Sequence, residues 1–358
     1  MPLDALPRNY KVTLQNLHAI EKRLTQDEEL AQDFCDQIQD MIDRGAAVVL
    51  SEDEIKEWKG DYYYLALVGI KGKKKWLRIC FDASRKQGGR FSMNDCLYKG
   101  PDRFMNNLLS VCLGFRNGRV AAAADLSKFH NQVRLVPADV HMQRFLWRGM
   151  NPEETPKTLA VVVNNFGIKP ANCIATSALH KSADIFAKKY PEASQAIKDQ
   201  TYIDDELVAA ANNAKLHQKT DQMDEITAHA GMSNKGWTFS GDPSSDIRIG
   251  IGVGDNEDQK VLGLPWDPKI DIFKFQTKLK VKLNAGVGLV DVFISLEEEL
   301  DDDMQEIVLT RKLVLSYAMK VFDPIGLLSP LLLQTKLLLR ETWNIEGLCW
   351  DDPLPEKI

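Results

Sequence analysis

The chain has 358 residues, 44% of them hydrophobic, with a formal net charge of −6. That length exceeds one ordinary domain and suits two or three subdomains with substantial cores, while the acidic balance argues against a uniformly basic nucleic-acid binder, because phosphate contacts call for Lys and Arg. Six scattered cysteines without a Cys-x-x-Cys pair read as free thiols and make a zinc knuckle an unsuitable description.

Residues 10–45 read as mainly helical, with Leu17, Ile20, Leu24, Leu30 and Phe34 on one stripe. Residues 46–100 read as strands with a basic hairpin, where Lys71, Lys73, Lys74, Lys75, Arg78, Arg85, Lys86 and Arg90 crowd together. A solvated charged hairpin and a hairpin reaching over phosphates both fit that composition. A helix is expected over 101–118, carried by Phe104, Leu108, Leu109, Val111 and Cys112 and closed by Gly114 to Gly118. Cys173 to Tyr190 reads as a helix, as does Asn213 to Gly231. Strands are expected from Gly236 to Phe239 and from Ile247 to Val253. Residues 269–308 are poorly patterned and partly acidic, with Glu297-Glu298-Glu299 and Asp301-Asp302-Asp303. Residues 309–343 read as helical, and Leu327 to Leu339 is interrupted by Gln334 and Lys336, too short for the roughly 20 apolar residues of a membrane span. The N-terminus has charges and no apolar core, so no signal peptide is expected.

Three segments carry candidate chemistry. The apolar run Val120 to Ala124 ends at Asp125. A carboxylate at the end of a buried strand is costly unless paired or metal-bound, although a helix N-cap would also explain it. Phe166-Gly167-Ile168-Lys169-Pro170-Ala171-Asn172 is a Gly/Pro turn leading into a helix, a common connection when taken alone. Tyr202-Ile203-Asp204-Asp205 then precedes the apolar run Leu207 to Ala210. Two adjacent carboxylates repel, and a divalent metal is one reason to place them between strand formers; a solvated acidic turn is the other. In this order the three form the series that builds a polymerase palm, whose carboxylates converge on metal ions roughly 3.5–4 Å apart.

Along nearly its whole length the chain resembles the reverse transcriptases of the Bel/Pao group of long-terminal-repeat retrotransposons. The resemblance rests on the Tyr-x-Asp-Asp motif and on Leu6-Pro7-Arg8-Asn9-Tyr10 near the start. It also rests on Arg78 to Ser84, Ser92 to Pro101, Val261 to Asp267, Arg311 to Ser316, and Phe322-Asp323-Pro324-Ile325-Gly326-Leu327-Leu328-Ser329-Pro330. It implies an α+β right-hand polymerase. The lead-in is expected at 1–45, fingers at 46–118, a ferredoxin-like palm at 119–268 and a partial helical thumb or connection at 269–358.

The resemblance further implies RNA-directed DNA synthesis. Asp125, Asp204 and Asp205 would be the catalytic carboxylates, and with the Leu126 carbonyl they would hold two Mg²⁺ ions, or Mn²⁺. Lys71, Arg78, His130 and Asn164 would face the incoming nucleotide, and Leu262, Gly263, Leu264 and Trp266 would form the primer grip. The implied partners are an RNA or DNA template-primer and dNTPs, with no membrane, in a cytoplasmic retrotransposon particle or the nucleus. RNase H and integrase domains would belong to the same polyprotein; no RNase H carboxylate series, protease triplet or integrase is legible in this chain. Two positions depart from the family. His130 stands where reverse transcriptases carry Tyr or Phe, leaving Phe129 as a neighbour in register, and Asn164 and Asn165 stand where many relatives have Gln. These departures and the acidic balance keep a decayed or co-opted nucleic-acid-binding protein as the alternative, and a DNA-templated polymerase as a third reading.

Overall fold

The structure, a computed structural model, describes residues 6–71, 77–86, 90–241, 259–273, 278–282, 289–293 and 309–355. It begins with helices α1 (Tyr10–Leu24) and α2 (Glu28–Asp43), strand β1 (Ala47–Val49), helix α3 (Glu52–Glu57) and strands β2 (Ala66–Lys71) and β3 (Leu77–Asp82). Helices α4 (Met93–Cys96) and α5 (Leu108–Phe115) lead to β4 (Val120–Asp125). Then come α6 (Pro137–Val140), β5 (Arg144–Trp147), β6 (Lys157–Val161), α7 (Ala171–Phe186) and α8 (Pro191–Gln200). After these lie β7 (Thr201–Tyr202), β8 (Asp205–Ala210), α9 (Asn213–His229), β9 (Thr238–Phe239), β10 (Gln259–Val261), β11 (Leu264–Asp267) and β12 (Ile272–Phe273). The last described elements are β13 (Lys278–Lys282), β14 (Leu289–Phe293), α10 (Arg311–Lys320) and α11 (Ser329–Trp343).

The fold is mixed α and β, and the sheet registers are antiparallel. Two compact units divide the chain. The first holds 1–106, 125–204 and 218–234; the second holds 107–124, 205–217 and 235–358.

In the first unit the helical stripe of the opening segment becomes the core. Leu17, Leu24, Phe34 and Ile38 are buried together with Tyr63, Leu65, Phe81, Phe145 and Trp147. Each such side chain gains about 1.5–3 kcal/mol from burial. Phe34 stacks on Trp147 with ring centroids 5.0 Å apart, and Phe81 meets Phe145 edge-on at 5.0 Å. The expected single helical region is two helices, because Asp27 accepts a hydrogen bond from the Leu30 amide and caps α2. The sheet β1-β6-β5 and the ribbon β2-β3 cover this core. Helix α3 was not legible in the hydrophobic pattern, since none of its residues is buried. Its signal is the capping box between Ser51 and Glu54.

In the second unit β8, β4 and β9 lie side by side in that order. β4 is a run of small residues, and Ala121 to Ala124 are all buried. Ser240 locks its start: the Ala121 amide donates to the Ser240 hydroxyl at 2.7 Å, and the Ser240 amide donates back to the Ala121 carbonyl at 2.7 Å. Helix α5 is shorter than the expected 101–118 helix because Asn107 caps it, accepting from the Ser110 amide. Residues 259–273 form a three-stranded meander, with Trp266 fully buried edge-on against Phe115 at 5.1 Å. Part of the poorly patterned stretch forms the ladder β13-β14. The expected Ile247 to Val253 strand lies outside the described residues.

The helical segment after residue 309 is two helices, and Asp323 makes the corner between them. Its carboxylate accepts from the Gly326, Leu327 and Leu328 amides at 2.9, 3.0 and 2.7 Å. The Phe-Asp-Pro-x-Gly-Leu-Leu stretch is therefore a turn signature, with Gly326 at φ +82°. Arg311 is 5% exposed and ties α10 to the end of α11 and the turn beyond it, donating to the Thr342 hydroxyl and carbonyl and to the Leu348 carbonyl while lying over the Trp343 ring at 4.4 Å.

Candidate active site

Asp125 is the last residue of β4, half-buried where the chain leaves the strand. The next amide, Leu126, donates to the Asp204 carbonyl at 2.7 Å, and the Ser127 amide donates to the Ser233 carbonyl at 2.7 Å. These bonds carry the pairing one step past the strand and fix Asp125 beside the turn Ile203-Asp204, which connects β7 to β8. Ile203 takes φ +59°. A β-branched residue is a steric outlier there, and such strain persists only where neighbouring structure enforces it. Asp205 is next in the chain as the first residue of β8, in the second unit.

The Gly/Pro turn is held by close contact and by one side chain. A Cβ added to Gly167 would lie 1.9 Å from the Phe81 carbonyl oxygen, so only glycine lets the turn reach β3. Asn94 bridges three segments: its Nδ2 donates to the Gly167 carbonyl at 3.0 Å and to the Ser84 hydroxyl at 2.8 Å, and its Oδ1 accepts from the Lys169 amide at 2.8 Å. Residue-by-residue reading missed Asn94; the only trace of it was its place in the Ser92 to Pro101 segment. Next to it, the Asp95 carboxyl is held below the usual range by the Ser92 amide and hydroxyl, with Lys86 and Lys169 adding to the effect.

The nucleotide-facing candidates have different surroundings. His130 is half-buried and Phe129 is buried, so His130 is the one with a surface to offer. Its Nε2 is 2.7 Å from Asn172 Oδ1, which accepts the ring N–H and anchors the imidazole to the first turn of α7. Asn164 is fully buried, and its Nδ2 donates to the Ala171 carbonyl at 2.9 Å. In this structure it braces the loop, and the exposed residue just before Gly167 is Phe166, at 52%. Arg78 is exposed on β3, paired with Ile70 in register. Lys71 closes β2, but its side chain, like Lys73, Lys74 and Lys75, lies outside the described residues. Leu262 and Gly263 are the turn of the β10-β11 hairpin, at φ +53° and +83°. Leu262, Leu264 and Trp266 are buried, so of these four residues Gly263 at the tip is the exposed one.

Among the described residues, no group of three or more His, Cys, Asp or Glu is arranged to hold a metal ion. The donor set that the backbone does bring together is Asp125 with Asp204, two hard-oxygen ligands. Mg²⁺ keeps several waters and is commonly held by one or two carboxylates plus substrate phosphates, so this set fits in chemistry and number. The described cysteines are free thiols. Among the described residues, no helix is long and apolar enough to cross a membrane.

Residues 310–358 match the family model described as the Pao retrotransposon-like RNaseH-like domain. The match supports a Bel/Pao retrotransposon origin for the chain. It falls on the segment that holds α10, the Asp323 corner and α11, where the expectation was a thumb or connection element with no RNase H part; the match names an RNaseH-like domain there instead. No curated protein matches the chain.

Proposed function

We propose that the chain is the RNA-directed DNA polymerase core of a Bel/Pao-type retrotransposon polyprotein, built as a right hand of fingers, palm and partial thumb. The observation that carries this reading is the backbone bond between Leu126 and Asp204, which sets the end of β4 beside a strained Tyr-x-Asp-Asp turn. Asp125 and Asp204, with Asp205 covalently next to it and the Leu126 carbonyl, are the residues that would hold two Mg²⁺ ions or Mn²⁺. When bound, such ions supply Lewis acidity toward a primer hydroxyl and a leaving pyrophosphate. The chain's own part is positional: His130, anchored on Asn172, limits the space beside the sugar, while Arg78 and Lys71 offer charge to the triphosphate. The hairpin tip at Gly263 is the accessible part of the primer-grip candidate. Template-primer and dNTPs are the partners, in a cytoplasmic particle or the nucleus.

The test is primer extension on an RNA template with dNTPs and Mg²⁺, run beside Asp204→Asn. Metal-dependent extension that drops about 10³-fold in the variant, roughly 4 kcal/mol of transition-state stabilisation, is the expected result. Template-primer binding without extension by the folded chain would replace this reading with a co-opted nucleic-acid-binding protein.

A further inference from the structure

Strand β11 has a turn at each end, and both turns lie in the second unit. One is the hairpin tip Leu262-Gly263; the other, residues 268–271, leads into β12. Arg116, the residue after α5, grips the second turn. Its Nη2 donates to the Asp271 backbone carbonyl at 3.0 Å, and its Nη1 donates to the Asp271 carboxylate. The same carboxylate oxygen accepts the indole N–H of Trp266 at 3.0 Å. Trp266 packs edge-on against Phe115, so two successive residues at the end of α5 hold β11 and its turn. The Gly241 amide adds a bond to the Pro268 carbonyl at 2.9 Å, next to Ser240, which locks Ala121 of β4.

This arrangement suits placement more than stability. The Arg116 and Asp271 side chains are 36% and 24% exposed, and ion pairs open to water contribute little to stability. Asp271 is held at φ +54°, a conformation uncommon outside glycine that persists where neighbours enforce it. The guanidinium fork meets two acceptors of one residue, on the side chain and on the backbone, which fixes direction as well as distance. An ammonium would supply the charge without that geometry. β11 itself is only four residues long, Leu264–Asp267, so a shift of the turn at Asp271 reaches Gly263 through one short strand.

We propose that Arg116 is a positioning residue, a role that rests on the polymerase reading. By gripping Asp271 it sets where the Gly263 tip stands relative to β4, the strand that runs on to Asp125, and so aligns a primer end for extension.

Primer extension on an RNA template by the full chain, Arg116→Met and Arg116→Lys tests the proposal. The rate per active site comes from single-turnover amplitudes, template-primer affinity from anisotropy, and folding from urea midpoints. Arg116→Met should lower kcat per active site about tenfold while the template-primer Kd stays within about twofold and the urea midpoint holds, since a displacement of about 1 Å can cost about 10²-fold in rate. Arg116→Lys should lose about fivefold, because it keeps the charge and not the fork, and it decides the matter if Arg116→Met does not fold. Full kcat per active site in either folded variant, or a loss confined to template-primer affinity or to the folded fraction, would overturn the proposal and leave the polymerase reading intact. Absence of extension by the unsubstituted chain would overturn both.

Discussion

Leu126 and Asp204 are 78 positions apart in the chain, yet the amide of one donates to the carbonyl of the other at 2.7 Å. That bond requires the chain to reverse within Ile203-Asp204, and Ile203 meets the requirement at φ +59°. The left-handed conformation costs an L-residue about 1–2 kcal/mol, and Asn tolerates it far better than a β-branched side chain. Ile203→Asn is therefore expected to stabilise the protein by about 1 kcal/mol. A urea midpoint that stays put or falls in this variant would show that the turn carries no such strain.

Gly167 presents the opposite case, a glycine required by contact. Its Cβ would lie 1.9 Å from the Phe81 carbonyl oxygen, a backbone atom that cannot rotate away. Gly167→Ala should cost about 1–3 kcal/mol, the range for overpacking. Gly231 is a useful control, since it has φ +71° and open space around it. Gly231→Ala should cost only the smaller conformational penalty, about 1 kcal/mol. Denaturation curves that rank the two variants the other way would contradict the contact argument.

Arg148 holds Glu21 through two bonds of 2.7 and 2.6 Å, with only 10% and 11% of the two side chains exposed. Removing one partner leaves the other charge shielded from water. Glu21→Gln is expected to lose about 3–5 kcal/mol. The double variant Glu21→Leu with Arg148→Met should recover much of that loss, because an apolar pair needs no desolvation of charge. A double-mutant cycle measures the coupling, and additive losses would mean the pair does not interact in solution.

Two histidines contribute to the loss of stability on mild acidification. Burial, with Arg144 next, holds His141 below the ordinary imidazole value, and burial with Lys198 does the same for His180; Glu54 opposes the first shift and Asp184 and Asp199 the second. The unfolded chain therefore takes up these protons first as pH falls. The stability they contribute is present above about pH 6.5 and is lost below it, down to the folded-state values. Urea midpoints should fall between about pH 7.5 and 5.5, and the fall should shrink in a His141→Gln, His180→Gln double variant. An unchanged slope in that variant would assign the acid sensitivity elsewhere.

Much of the local structure was legible in the residue pattern. Of the stripe Leu17, Ile20, Leu24, Leu30 and Phe34, all but Leu30 are buried, and Leu30 is half-buried. The small residues before Asp125 form a strand, and a strand begins at Asp205. Short polar and capping signals were harder to see. Asp27 splits the first helical region, Ser51 starts a helix with no buried residue, and Pro191 begins α8 in a stretch for which no element was expected. In each case a single side-chain bond or a fixed proline φ decides the boundary, and hydrophobic periodicity is blind to both.

By itself the sequence determined which carboxylates to consider, because apolar runs ending at Asp125 and flanking Asp204-Asp205 are local patterns. It also held the repeated apolar spacing that fixes which helix faces are buried. The tertiary structure alone decided that Leu126 meets Asp204, that Gly167 must remain glycine against Phe81, and that Asn94 joins three segments. It likewise decided that Asn164 and Trp266 are buried. The physical reason is range: periodicity and capping act over a few residues, whereas hydrogen bonds and close contacts between distant segments exist only once the chain has brought those segments together.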